Sequence, residues 1–488
     1  MATTADASNL PGRIETLTPA EDEKLRQTWA ALFKIYELAD GESSVPSTPV
    51  VEQTPEPASP ASTRRTSLFR WRSASSATTP APEPAAALGT AEDRFHRELL
   101  SKYLVGEKAS TLKSIISNMS KQDHPDSLLL RFLRARKWVL EDTLNMLFTV
   151  LNWRHKEMHV DDDIMFNGEG KAADEEKNGD EKTKAIAKGW LDQQRMGKSL
   201  WHGLDKQNRP ISVIRVKSHN PKAQPPESME RYIVHLIETA RLFLTPPIDT
   251  VCVVFNLTGF SLSNMDYHAV KFVIQCFQTN YPECLGVLLI HNAPWIFQGI
   301  WKIIHGWLDP VVAAKVHFTN GRAGLEEYIA SDRLIKELGG DEEWDFDFIE
   351  PVDGENDLMK DTATRDKLQE ERRVLFAKFE EVTRKWVAAE DEESRKKLNA
   401  ERVETANELT ANYWRLDPYI RARSHFDRCG TIQPDGSPVV WYNPVPTSAK
   451  KSADAAAVEE KLAEVTISDT KGATEVTHTE QAAAVAAA

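Results

Sequence analysis

The stretch TVCVVFNLTGFSLSNMDYHAVKFVIQCFQTNYPECLGVLLIH, Thr250 to His291, decides the fold. Two short runs without polar alternation, TVCVVFNL and GVLLIH, flank a segment, SNMDYHAVKFVIQCFQ, that reads as helix. Strands apolar throughout are covered on both faces, and a strand–helix–strand order lays them parallel in one sheet. The alternation continues outward. ISVIRV (211–216) and ESMERYIVHLIETARLFL (227–244) precede this unit, while KVHF (315–318) and AGLEEYIA (323–330) follow it. The expected fold class is therefore α/β, a mostly parallel sheet covered by helices.

Upstream the periodicity is helical. LTPAEDEKLRQTWAALFKIYELADG (17–41) opens with Thr18 as N-cap, Pro19 at the first helical position and Glu21 three residues after the cap. Residues 41–90 are rich in Pro, Ser, Thr and Ala and cannot bury enough apolar area to offset ordering entropy, so a disordered linker is expected. Helical patterning resumes near Ala91 and runs through SLLLRFLRARKWVLEDTLNMLFTVLNWR (127–154), which predicts an all-helical N-terminal subdomain. Leu129, Phe132, Leu133, Arg136 and Leu140 share a stripe, which aims Arg136 at the apolar side. Downstream, Thr364 to Trp414 reads as one or two long charged helices. Their apolar set of Leu368, Leu375, Phe379, Val382 and Trp386 does not sustain heptads and predicts packing on the main domain. The expected organisation is an N-terminal helix (1–40), the linker (41–90), a helical subdomain (91–160), an acidic loop (161–182), the α/β lobe (183–340), an acidic segment with a helical extension (341–446) and a disordered tail (447–488).

The formal net charge of −14 argues against nucleic acid as a partner, because that binding relies on Lys and Arg displacing counterions. It also disfavours tight adhesion to anionic membranes. The acidity is concentrated: 161–181 and 341–357 hold nine acidic residues each, and both read as solvated loops. The N-terminus lacks a basic start followed by an apolar run, and no apolar run reaches 18 residues. Cys252, Cys276, Cys284 and Cys429 follow neither a zinc spacing nor a disulfide framework, so free thiols in a cytoplasmic protein are expected.

Catalytic motifs fail. MGKS (196–199) ends like a phosphate-binding loop, but Asp192 stands where its first glycine belongs. GFSLS (259–263) has Ser263 in place of the final glycine of a nucleophile elbow. H-E-x-x-H and a strand-borne G-x-G-x-x-G are absent. No catalytic residue, metal or cofactor is expected, and an unrecognised hydrolase would need a nucleophile and base that the sequence does not display.

What remains is an apolar body with charges in odd places: Arg136 beside Lys137, Glu283 at the entry to GVLLIH, and Lys315 after LDPVVAA, where Asp309 would cap and Pro310 open a short turn. Taken singly, each has a structural explanation: an ion pair, a surface residue, a solvent-reaching lysine. Together, cations near one carboxylate can hold a phosphate while the carboxylate accepts from hydroxyls. HNAPWIFQGIWKIIHGWLDP (291–310) is similarly odd. Gln298, Lys302 and His305 fall at i, i+4 and i+7, and apolar residues cover the rest. Such a helix is buried or lipid-facing, yet it is far shorter than the roughly 20 residues of a membrane span.

LLRFLRARKW (129–138), FNLTGFSLSN (255–264), NYPECLGVLLIHNAPWIF (280–297), WLDPVVAAKVHF (307–318) and LGG (338–340) stand in the order and spacing of the CRAL-TRIO family and resemble its fungal phosphatidylinositol-transfer branch. The match covers about Ala91 to Gly340. The resemblance implies a lipid-binding lobe whose pocket takes the acyl chains of one lipid under a mobile gate helix, with Trp295, Ile300, Trp301, Ile304 and Trp307 on the gate. A lid answers a physical need, since ~30 acyl carbons at about 0.8 kcal/mol each would cost over ~20 kcal/mol to expose. Carried over residue by residue, Arg136, Lys137, Glu283 and Lys315 match the headgroup-binding residues. Val312 stands where prototype members have a threonine. Val251 and Val253 occupy the places of a serine and a threonine in members that also bind phosphatidylcholine, on a strand that with Phe255 would line the pocket. The resemblance thus implies a carrier of phosphatidylinositol without phosphatidylcholine, cytoplasmic and in transient peripheral contact with intracellular membranes. Alternatives are a lipid-sensing scaffold that recruits protein partners through its C-terminal helices, or a carrier of a sterol or other hydrophobe. In the linker, RRTSLFRWR (64–72) is a basic, aromatic island in which phosphorylation of Ser67 would weaken attraction to anionic lipid.

Overall fold

The computed structural model describes residues 10–42 and 90–442. The expectations for the linker, with Arg64–Arg72 and Ser67, and for the tail from 447 fall outside the described residues.

The chain opens with α1 (Pro19–Glu42). Its capping box forms as the sequence predicts: Thr18 N–H donates to Glu21 Oε2 at 2.9 Å and Glu21 N–H to Thr18 Oγ1 at 3.3 Å. Helices α2 (Ala91–Tyr103), α3 (Ala109–Ser120), α4 (Pro125–Ala135) and α5 (Leu140–Asn152) complete a helical subdomain. Its core of Trp29, Leu129, Phe132, Leu133 and Leu147 extends to Phe376, Phe379 and Trp386 of a C-terminal helical hairpin.

The acidic stretch is not a loop. Val160–Met165 forms a π-helical turn that continues into α6 (Phe166–Asn178), followed by α7 (Glu181–Arg195). Three of its carboxylates are paired: Asp161 with nearby Arg154 at 2.6 Å, and Asp163 and the fully buried Glu169 with the distant Arg231, at 2.6 Å, and Arg428. Local charge density made this segment look solvated because those partners are invisible locally. Residues 341–356, by contrast, are irregular.

The lobe is built on one five-stranded sheet of order β1-β2-β3-β4-β5: Ser199–Leu204, Pro210–Arg215, Val251–Asn256, Leu285–His291 and Val316–Thr319. Only the β1–β2 pair is antiparallel. Helices α8 (Pro226–Phe243), α9 (Tyr267–Gln275), α10 (Phe297–His305), α11 (Pro310–Ala313) and α12 (Gly321–Glu326) follow strands β2 to β5. Because successive side chains alternate between faces, Cys252, Val254, Val287 and Leu289 pack with Leu325, Ile329 and Leu334 on one side. Val251, Val253 and Phe255 face the other. The four cysteines are free thiols, as expected.

Helices α13 (Thr362–Ala388) and α14 (Glu392–Ile420) form a hairpin that closes on the helical subdomain. Arg402, fully buried, donates to Asp126 Oδ1 at 2.6 Å, which also accepts from Trp29 Nε1 at 2.8 Å. The Arg402 guanidinium lies 3.9 Å from the centroid of the Trp386 ring.

One buried group makes stability depend on pH. His235 on α8 is buried edge-on to Trp190 at 5.2 Å, its Nδ1 has no hydrogen-bond partner among the described residues, and burial pulls its pKa down to about 3. An unfolded histidine titrates near 6.5, so below that pH the unfolded chain binds a proton that the fold refuses. Stability from this group is complete above pH 6.5 and drops as pH falls, by about 2 kcal/mol at pH 5. In urea melts at pH 7.5 and 5, His235→Leu should lose less stability on acidification than the wild type by that amount.

Candidate functional site

A cavity of about 1760 Å³, its mouth included, lies between the sheet and α8, α9 and α10. Val251, Val253 and Phe255 form part of its floor, with Ile214 of β2, Leu288 of β4 and Val316 of β5 beside them. Met229, Ile233, Leu236 and Ile237 of α8 and Val270, Val273 and Ile274 of α9 form walls.

Helix α10 closes one side. Phe297, Trp301 and Ile304 line the cavity, and Ile300 is buried beside them against Leu257, Phe260 and Ile290. The stripe read from the sequence, Gln298, Lys302 and His305, faces outward. Three of the named gate residues lie off the cavity wall: Ile300, Trp307 and Trp295. Trp307 packs edge-on to Tyr267 with ring centroids 5.7 Å apart, and Trp295 is 83 % exposed. No side-chain atom lies within 4 Å of where a Cβ at Gly299 would stand, so the helix's outer surface is open there.

The charged residues gather at the edge where the parallel strands begin. Lys315 Nζ donates to Glu283 Oε2 at 3.2 Å, both side chains being about one-fifth exposed. Asp309 caps α11 by accepting from Val312 N–H at 2.8 Å and thereby sets the approach of Lys315 to β5, where its carbonyl accepts from Leu288 N–H. Glu283 holds a left-handed backbone (φ 54°), a conformation that costs a non-glycine residue roughly 1–2 kcal/mol. Arg131, from α4, holds it there: Nη1 donates to the carbonyls of Glu283 at 3.0 Å and Asp249 at 2.7 Å. Asp249 in turn pairs with Arg134 at 3.0 Å and Arg13 at 2.9 Å. Burial opposes its ionisation, but Arg131, Arg13 and Arg134 hold its carboxyl below the usual carboxylate range.

Arg136 departs from its sequence reading. Helix α4 ends at Ala135, Arg136 is its C-cap, and Lys137 and Trp138 follow in left-handed conformations (φ 51° and 64°), so the 3.6-residue stripe does not extend to position 136. Arg136 and Lys137 are exposed and make no ion pair among the described residues. The inward arginines are Arg131 and Arg134, which sequence reasoning missed. Their signal is the i, i+3 spacing of two arginines within the otherwise apolar run LLLRFLRA.

At the opposite edge, Lys198, His219 and Asp266 also line the cavity. They were not singled out from the sequence, because they come from three separate loops. No group of three or more His, Cys, Asp or Glu suited to a metal occurs among the described residues. No helix among them is long and apolar enough to cross a membrane. The arrangement can enclose a long apolar molecule; Glu283, Lys315, Arg136 and Lys137 lie outside its lining, while Cys284 and Val316, next to the first two in sequence, are part of it.

Residues 194–340 match the CRAL/TRIO domain, and residues 94–147 match the CRAL/TRIO N-terminal domain. A CRAL-TRIO domain-containing protein of Schizosaccharomyces pombe is 36% identical over 463 residues, covering 94% of this chain and 99% of that protein. The phosphatidylinositol transfer protein CSR1 of Eremothecium gossypii is 36% identical over 444 residues, covering 87% of this chain and 98% of its own length. The Sec14 cytosolic factor of Schizosaccharomyces pombe is 29% identical over 258 residues, 49% of this chain and 84% of that protein.

Proposed function

The chain belongs to the CRAL/TRIO family, and we propose that it binds phosphatidylinositol in its cavity and transfers or presents it between membranes, without covalent chemistry and without taking phosphatidylcholine. The observation that carries this reading is the apolar cavity, whose wall includes Cys284 and Val316, the immediate chain neighbours of the paired Glu283 and Lys315. Acyl chains would lie between Val251, Val253 and Phe255 and the α10 residues Trp301 and Ile304. The headgroup phosphate would meet Lys315 together with Arg136 and Lys137, whose charges are not spent on internal pairs, while Glu283 accepts from inositol hydroxyls. Opening of α10 at a cytoplasmic membrane surface would release the lipid, with exposed Trp295 and Ile303 entering the interface.

Two positions support exclusion of phosphatidylcholine. Val251 and Val253 offer no hydroxyl to a phosphate buried over them, and an unpaired phosphate oxygen there would cost about 1–3 kcal/mol. Recruitment of protein partners through α13 and α14 has less support, because Leu368, Phe379, Val382 and Trp386 are already buried. The test is mass spectrometry of lipids extracted from the full-length protein purified from a eukaryotic host. Phosphatidylinositol with no co-purifying phosphatidylcholine is the expected result. Comparable amounts of both would overturn the selectivity, and an empty cavity would overturn the reading.

A further inference from the structure

We propose that Lys198, His219 and Asp266 form a second polar subsite at the far end of the cavity, one that takes the hydroxyl or carbonyl oxygen of a neutral lipid. The inference rests on the reading of the cavity as a lipid site and adds a ligand class and an orientation to it. Lys198 directly precedes β1, His219 follows β2, and Asp266 caps α9 after β3. Because β1 is antiparallel to β2, all three meet at the C-terminal edge of the parallel strands, opposite Glu283 and Lys315. At ~3.3 Å per residue, the six residues of β3 separate the two edges by roughly 20 Å.

The cluster is built rather than incidental. Lys198 is only 4 % exposed, and its Nζ lies 2.8 Å from His219 Nδ1. His219 Nε2 lies 3.1 Å from Asp266 Oδ2, and Asp266 Oδ1 accepts from the backbone N–H groups of His268 and Ala269. In this chain Nδ1 accepts from the ammonium and Nε2–H donates to the carboxylate, so the imidazole is neutral and the charges of Lys198 and Asp266 balance. An ammonium has three N–H donors. His219 takes one, and the only other acceptor among the described residues is Met229 Sδ at 3.8 Å, a weak one. Donor capacity therefore remains on the cavity wall, which the Ser199 and Ser212 hydroxyls, 3.3 Å apart, also line.

A phospholipid anchored at the Glu283–Lys315 edge would place hydrocarbon chain ends against this ammonium and leave it unfilled. A ligand lying the other way round, polar tip toward Lys198, fills it. An anionic tip would leave a net negative charge in an apolar wall, whereas a neutral oxygen completes the donor set without adding charge.

The test measures transfer of radiolabelled hexadecanol, hexadecane and palmitate from phosphatidylcholine vesicles to the full-length protein, comparing wild type with Lys198→Met. The hexadecanol-to-hexadecane retention ratio should fall about tenfold in the variant. His219→Phe, which removes the acceptor that positions the ammonium, should lower it in the same direction and serves if Lys198→Met does not fold. An unchanged ratio in both variants overturns this inference alone. Palmitate retention falling more than hexadecanol retention overturns the neutral ligand class. Wild-type protein that retains none of the three, and no phosphatidylinositol, overturns the lipid-cavity reading itself.

Discussion

Arg136→Ala combined with Lys315→Ala is expected to lower phosphatidylinositol transfer between vesicles by roughly a hundredfold, while the protein remains folded. Each substitution removes a cation from the proposed headgroup edge, and hydrogen bonds to a charged group contribute about 1.5–3 kcal/mol apiece. The fold should tolerate both. Arg136 is exposed and unpaired among the described residues, and Lys315 is bonded to Glu283 at a partly exposed site where ion pairs are worth at most about 1 kcal/mol. The two single variants sort the roles. If Lys315→Ala carries the whole loss and Arg136→Ala none, the phosphate sits deeper, by Glu283, and the turn at Arg136–Trp138 does not reach it. Full transfer by the double variant would remove the headgroup site from this edge.

Glu238→Leu is expected to destabilise the protein by about 3–5 kcal/mol in urea denaturation, the usual cost of stranding buried charge. Glu238 on α8 is completely buried, accepts from Arg154 Nη1 at 2.6 Å and pairs with Lys121 Nζ at 3.1 Å. Burial opposes its ionisation, yet Arg154, Lys121 and Arg241 hold its carboxyl well below the ordinary glutamate range. The carboxylate joins the helical subdomain to the lobe, since Lys121 ends α3, Arg154 follows α5 and α8 covers the sheet. Arg154 retains Asp161 in the variant, whereas Lys121 loses its only carboxylate partner among the described residues. Adding Lys121→Met should therefore recover part of the loss, and a double-mutant cycle should show coupling of about 1–3 kcal/mol. A loss below 1 kcal/mol would mean that water or rearranged neighbours reach this junction.

Local patterns were legible where burial is decided by neighbours in sequence. Uniformly apolar runs such as TVCVVFNL became parallel strands, Thr18 and Glu21 closed their capping box, and Val251, Val253 and Phe255 came to one wall because alternation along a strand is geometric. The family motifs singled out Glu283 and Lys315, 32 residues apart, and the fold joins them in a hydrogen bond. Two expectations differ from the structure, each for its own physical reason. The acidic run at 161–181 looks like a solvated loop in sequence because Arg231 and Arg428, which pair with Asp163 and Glu169, lie far along the chain. Arg136 was placed inward by extending a helical period past Ala135, where left-handed residues end the helix.

By itself, then, the sequence determined the α/β class, the parallel strands, the inward face of β3, the amphipathic α10 and the family to which the chain belongs, because each follows from periodicity or contiguous motifs. Only the tertiary structure decided which charges pair: Arg131 rather than Arg136 beneath Glu283, Arg402 on Asp126, and Lys198 against His219 and Asp266. The physical reason is range. Backbone propensity and amphipathicity act over one or two turns, whereas a buried charge is stabilised by whichever distant group the fold brings within about 3 Å.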